Sequence, residues 1–388
     1  MTAKKSLDVW PAALPLIVLG DVFSVDNAIP ELEHSDRIRH IQLNFHATAY
    51  VETLWTAMQV QFPELLALRL SLLGWESALP DSFLGGSAPR LRYLTLLQAP
   101  FPGLRNLLLS ATHLVHLHLY HIPCSGYISP EAMANCLSML TSLEELHFHF
   151  QPFQRSSNQE SRRPLPPTRS VLPALTKFGF EAINEYLEDF VSRIDAPRLY
   201  RLSIVLFDDN DTPELKQFIS RTPRFGAYNE ARLIFFDYGA LVRLQSQPDH
   251  GMVEVEILCG VPVWQFSSLK QICTSSLQLL LTMDNLYFEV NQFTLPSLDA
   301  IENTDWLNIL LPFTAVKNLY LPGALWSRMA SALEELTGGR TTEVLPALEN
   351  VLLEGFQPSE LVQEGITEFS SARQLIDRPV AISACDTG

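Results

Sequence analysis

Six of the ten histidines stand in two short stretches. His113, His116, His118 and His121 fall within Ala111-Thr-His-Leu-Val-His-Leu-His-Leu-Tyr-His121, and His147 and His149 within Glu144-Glu-Leu-His-Phe-His149. Imidazole is the side chain that ligates metals, titrates near neutral pH and offers an amphipathic ring to a partner. In both stretches it alternates with Leu or Phe. As β-strands, they would point His116, His118, His147 and His149 to one face and the apolar residues to the other. Aligning Leu119 with Phe148 sets His118 beside His147. Neighbouring strands are about 4.8 Å apart and residues two apart about 6.6 Å, so His116, His118 and His147 are within reach of one zinc ion. Only Glu144 and Glu145 stand nearby to orient the rings. The reading preferred from these residues is therefore a polar, aromatic-rich contact surface made of Tyr93, Thr95, His116, His118, Glu145, His147 and His149, with no metal or other cofactor assigned. Partial protonation near pH 6.5 would make its binding pH-dependent.

The elements that must position these side chains announce themselves by a repeated phrase. Leu114, Leu117 and Leu119 form a Leu-x-x-Leu-x-Leu pattern that returns about a dozen times with apolar substitutions. Clear copies are Ile38/Ile41/Leu43, Leu65/Leu68/Leu70, Leu91/Leu94/Leu96, Leu143/Leu146/Phe148, Leu175/Phe178/Phe180 and Leu199/Leu202/Ile204. Later ones are Met283/Leu286/Phe288, Val316/Leu319/Leu321 and Leu348/Val351/Leu353. Two degenerate strands, 232–236 and 253–257, fill the gap between. This is the phrase of a leucine-rich repeat, whose short strand buries its first, fourth and sixth residues. The expected fold is an α/β solenoid, a horseshoe with parallel strands on its concave inner face and helices outside. The Asn or Cys that usually follows the third apolar position is replaced by Ile122, Ile183 and Phe207, and only Asn291 conforms.

Residues 1–37 read as an N-terminal cap whose Trp10–Leu19 segment pairs as a first strand, 38–356 as the repeats, and 357–388 as a C-terminal cap and frayed tail from Ala381. Helices are expected over 46–61, from the Ser129-Pro130-Glu131 start to about Leu140, and over Glu181–Ile194. Others start at Thr212-Pro213-Glu214 and end at Gly338-Gly339. The Pro-, Ser- and Arg-rich stretch 151–170 reads as a flexible insertion. The acidic cluster Glu181, Glu185, Glu188 and Asp189 is explained by a helix N-terminus rather than by catalysis.

A net charge of −16 argues against nucleic acid or an anionic membrane as partner. Five cysteines without a C-x-x-C pair suggest reduced thiols, and no apolar run is long enough to span a bilayer. The expected location is cytoplasmic or nuclear. No nucleophile elbow, P-loop, dinucleotide fingerprint or H-E-x-x-H zinc motif occurs, so an enzyme is not expected.

Several phrases also resemble the leucine-rich-repeat region of the F-box family of mushroom-forming (basidiomycete) fungi. Among them are Trp10-Pro-Ala-Ala-Leu-Pro15, residues 83–91 and 107–115, Gly126-Tyr-Ile-Ser-Pro-Glu-Ala-Met133, Val171-Leu-Pro-Ala-Leu175, residues 185–199, Gln217-Phe-Ile-Ser-Arg-Thr-Pro223 and Ile272-Cys-Thr-Ser-Ser-Leu277. The resemblance implies a substrate-recognition subunit: an F-box docks a Skp-type adaptor in a cullin–RING ubiquitin ligase, and the repeats hold a protein substrate. The family's F-box would precede Trp10-Pro11, where nine residues stand. The adaptor is thus expected only if a longer form supplies that segment. The alternatives are a stand-alone scaffold and a histidine-based metal-binding protein.

Overall fold

The computed structural model describes residues 14–22, 32–46, 51–74, 78–151, 168–206, 212–226, 228–245, 251–258, 262–273, 278–290, 301–334, 342–354 and 360–385. The chain divides into two compact units, Met1–Leu199 and Tyr200–Gly388.

The first unit contains β1 (Leu16–Val22), β2 (Ile38–His46), α1 (Val51–Ala57), β3 (Ala67–Leu73), β4 (Tyr93–Leu97), α2 (Leu104–Ser110), β5 (His116–Ile122), α3 (Pro130–Leu137) and β6 (Glu145–Phe150). It continues through β7 (Ser170–Val171), β8 (Lys177–Ala182), α4 (Asn184–Ser192) and β9 (Ile194–Asp195). Strands β1, β2, β3, β4, β5, β6 and β8 lie side by side in that order, all parallel. Strands β7 and β9 form a separate two-stranded ribbon.

Each rung repeats the same physics. The three apolar positions are buried throughout: Leu114, Leu117 and Leu119 are at most 1% exposed, and Leu175, Phe178 and Phe180 at most 2%. Helices cover this apolar face, as Phe45 against Trp55 of α1 (5.4 Å between ring centroids) and Phe148 and Phe178 against Phe190 of α4 (5.5 and 5.7 Å) show. Such edge-on and tilted ring pairs add to burial in a core. Helix α3 starts as its sequence dictates, with the Ser129 hydroxyl accepting from the Ala132 N–H and Pro130 in the first turn.

The second unit contains β10 (Arg201–Leu206), α5 (Pro213–Arg221), β11 (Glu230–Phe236), β12 (Gly239–Gln245), β13 (Met252–Leu258), α6 (Pro262–Gln271) and β14 (Asn285–Val290). It ends with α7 (Asn303–Leu310), β15 (Asn318–Pro322), α8 (Gly323–Glu334), β16 (Asn350–Glu354), α9 (Glu360–Leu375) and β17 (Ala381–Cys385). The spatial order is β10-β13-β12-β11-β14-β15-β16-β17. Rungs β14 to β17 are parallel. Both units thus carry the α/β leucine-rich-repeat arrangement of parallel strands with helices on the apolar face.

Three expectations need correction. The degenerate strands 232–236 and 253–257 are present within β11 and β13, but the all-parallel order is interrupted: with β12 they form a three-strand antiparallel meander, in which β13 pairs parallel with β10 and β11 parallel with β14. Only Asp237 and Tyr238 separate β11 from β12, far fewer residues than a parallel crossover needs, so the chain must turn back on itself. The helix expected over Glu181–Ile194 is shorter: Glu181 belongs to β8 and Ile194 to β9, because Phe178, Phe180 and Ala182 complete a strand before the helix begins at Asn184. Ala381–Cys385 is not a frayed end but a strand in register with Asn350–Glu354. Before β4 the chain makes a 3-10 turn at Phe83–Gly86, with Leu84 (φ 55°), Gly85 (φ 63°) and Gly86 (φ 71°) in the left-handed region, the tight turn that the Gly85-Gly86 pair favours. The Gly338-Gly339 stop, Phe207, Asn291 and Arg155, Arg162 and Arg163 of the insertion lie outside the described residues.

Candidate functional site

The parallel register places residues from successive strands in rows on the face opposite the buried leucines. One row runs His40, Ala67, Tyr93, His116, Glu145, Lys177. The next runs Gln42, Arg69, Thr95, His118, His147, Gly179. All seven contact residues expected from the sequence therefore lie in the first unit on one sheet face, and His118 stands directly beside His147.

Glu145 is the hub of this face. Its Oε2 lies 2.9 Å from His116 Nδ1 and 3.6 Å from Lys177 Nζ, and its Oε1 lies 3.3 Å from His147 Nε2 and 3.7 Å from His118 Nε2. The His118 contact is too long for a hydrogen bond, and its Nε2 is buried without one. Rings lock the cluster sideways. Tyr93, 42% exposed, stacks on His116 at 4.8 Å, the Arg92 guanidinium lies 5.9 Å over Tyr93, and His118 meets His147 edge-on at 4.7 Å. Gly179 makes room for this packing: a Cβ there would stand 2.2 Å from His147 Nδ1, so the His147 ring occupies the space a side chain on β8 would take.

The charges respond to this crowding. Burial, with His147 close by, pushes the His118 imidazole down to about 4 although Glu145 pulls the other way. Burial alone would raise the Glu145 carboxyl, but Lys177 and then His118, His116 and His147 outweigh it and hold the group below the ordinary range. Burial followed by Glu145 raises the Tyr120 phenol.

A second His–carboxylate pair lies two residues further along. His149 Nδ1 is 2.9 Å from Glu181 Oε2, and the His121 ring packs on His149 at 3.8 Å. His121 reaches this position because its φ of 52° breaks the alternation of β5, where the register shifts between Leu119 and Ile122. Burial and the neighbouring His149 lower its imidazole. Glu181, Lys177, Gly179 and Tyr120 were not expected at the site. The signal for Glu181 and Lys177 was present, since both follow the alternation set by Phe178 and Phe180.

The corresponding rows of the second unit carry different chemistry. Asn350 Nδ2 donates to Asn318 Oδ1 at 2.8 Å, Asn318 Nδ2 donates to Asn285 Oδ1 at 2.9 Å, and the three residues share one register position on β16, β15 and β14. Beside this ladder Tyr287 and Tyr320 stack at 4.0 Å, with the Arg232 guanidinium 4.5 Å over Tyr287. Arg232 pairs with Glu230 and Glu289, and Arg243 with Glu254, each at 2.6 Å. Among the described residues no helix is long and apolar enough to cross a membrane.

No protein-family model and no curated protein matches this chain. Among solved structures it is similar to the leucine-rich repeat-containing protein LegL7 from Legionella pneumophila, at 11% identity over 96% of this chain and 95% of that one. The TM-score of 0.32 is too low to carry an argument, and the fold assignment rests on the strand register and burial given above.

Proposed function

We propose that the protein is a non-enzymatic binding module that holds a protein partner on the exposed sheet face of its first unit. Tyr93, Thr95, His116, His118, Glu145, His147 and His149 make the contact. The observation that supports this reading is the pair of cross-strand rows: adjacent parallel strands offer ring, carboxylate and hydroxyl groups on one side while their other side is sealed by leucines. Interfaces favour such amphipathic rings because they bring large contact area and few rotatable bonds.

In this reading residues 38–356 carry the repeats, and 1–37 and 357–388 close their ends. The resemblance of residues 10–15, 83–91, 107–115, 126–133 and 185–199 to the basidiomycete F-box family supports a finer role as the substrate-recognition part of a cullin–RING ubiquitin ligase in the cytoplasm or nucleus. A Skp-type adaptor would then be reached through an F-box in a longer form of the protein.

The test is affinity purification of the tagged chain from the cells that make it, beside a variant combining Tyr93→Ala, Thr95→Ala and His149→Ala. The expected result is a reproducible partner recovered with the parent and lost with the variant; adaptor and cullin subunits are expected to join it when a longer form carrying an F-box is tagged. A partner retained by a folded variant overturns the assignment of this face. A partner lost as expected, but without any ligase subunit even with the longer form, leaves a stand-alone scaffold.

A further inference from the structure

The Glu145 hub has a chemistry that partner binding does not use. We propose that His116 Nδ1, His118 Nε2 and a carboxylate oxygen of Glu145 form a site for one divalent transition-metal ion of the zinc class.

Geometry carries the proposal. The three ligand atoms lie within 4.8 Å of one another. His116 Nδ1 stands 2.9 Å from Glu145 Oε2 and His118 Nε2 3.7 Å from Glu145 Oε1, so the two imidazoles meet opposite oxygens of one carboxylate, each near the roughly 3.3 Å between ligand atoms that tetrahedral bonds of about 2.0–2.1 Å produce. The strand register fixes this arrangement: His116 and His118 are two apart on one strand, and Glu145 faces His116 from the next. The buried His118 nitrogen, aimed at the carboxylate with no hydrogen bond, is a second observation of a different kind. A buried polar atom without a partner is costly, and a ligand there would relieve the cost.

Two imidazoles and a carboxylate are a donor set that zinc takes. Tyr93 stacked on His116 limits rotation of that ring, the service that an outer shell of contacts performs at metal sites.

Two other groups face the carboxylate. His147 Nε2, 3.3 Å from Oε1, is placed either to accept from a metal-bound water or to enter as a fourth ligand. Lys177 Nζ, 3.6 Å from Oε2, holds a positive charge beside the position the ion would take; at 36% exposure its side chain has solvent into which to swing. Lys177 is therefore a competitor, and removing it should strengthen metal binding. Two nitrogens and one oxygen suit zinc, cobalt or nickel; calcium and magnesium ask for six or more oxygens or for retained waters and do not suit. Three protein ligands leave a coordination position open toward the exposed face.

The experiment uses the full 388-residue chain, made without a histidine tag and stripped with a chelator. Cobalt is titrated in and followed by its visible absorption, and zinc is then added in competition. One equivalent of cobalt should bind, zinc should displace it, and calcium and magnesium should do neither. His118→Ala and Glu145→Gln should each weaken binding at least tenfold, Lys177→Met should tighten it, and His113→Ala, outside the cluster, should leave it unchanged. Absence of saturable one-to-one binding in the parent overturns the proposal, as does undiminished affinity in Glu145→Gln. That variant is nearly isosteric, so it decides the matter even if His118→Ala fails to fold, which a melting curve reports. No partner enters the titration, so its failure leaves the partner-binding reading standing, and loss of the partner reading leaves the metal site standing.

Discussion

The two units build the same kind of strand ladder and decorate it in opposite ways. In the first, the rows on the open face hold imidazoles around a single carboxylate, groups whose charge depends on protons and ligands. In the second, the same rows hold an asparagine ladder, a tyrosine stack and Arg–Glu pairs, whose charges stay fixed across the physiological range. An asparagine gives and accepts at once, so Asn285, Asn318 and Asn350 satisfy one another along the row and leave no proton to titrate. The first face is poised to respond to its surroundings, whereas the second is closed upon itself. The lesson is that a repeat fixes where a side chain points, and its identity alone decides whether that place is a structural seam or a site.

The largest expected effect tests what the units share. Leu117 and Leu319 occupy equivalent apolar positions at 0% exposure, and truncating either to Ala should cost about 2–5 kcal/mol in denaturant unfolding. A loss below roughly 1 kcal/mol at one of them would mean that the ladders are not equivalent. The next tests the closed face. Asn318→Ala removes a link from both sides of the ladder and should cost about 1–2 kcal/mol, by the same amount at pH 5 as at pH 8, since no charge is involved.

The smallest effect tests the responsive face. Folding lowers the His121 imidazole from its ordinary 6.5, so the unfolded chain binds more protons there, and stability falls as pH drops below about 6.5. His121→Asn keeps a residue tolerant of φ 52° and removes the titration. Its melting temperature should therefore decline less than the parent's between pH 7 and pH 5, and an equal decline would remove His121 from the account.

Much of this was legible in the sequence because burial writes a period. The leucines gave the rungs, and aligning Leu119 with Phe148 gave the neighbouring positions of His118 and His147. What was misread came from weaker signals. Glu181 was assigned to a helix because acidic residues cluster at helix starts, although Phe178 and Phe180 already placed it on a strand. Gly239–Gln245 lacks the repeat phrase and was passed over, so the reversal of strand order went unseen. Gly179 carries no side chain to attract notice; its role is the space it leaves for His147. The asparagine ladder is readable, since each Asn immediately precedes the second apolar residue of its rung, a different position from the one after the third apolar residue where this repeat usually carries Asn.

The meander of β11, β12 and β13 has a consequence for how the second unit is made. Parallel rungs join residues separated by a whole repeat, so each must close a long loop before any pairing repays it. In the meander two residues connect β11 to β12 and six connect β12 to β13, so its contacts are local and form early. It presents β13 on one side and β11 on the other as ready edges for β10 and β14. A stack of similar rungs has no intrinsic beginning, and this antiparallel segment supplies the unit with one.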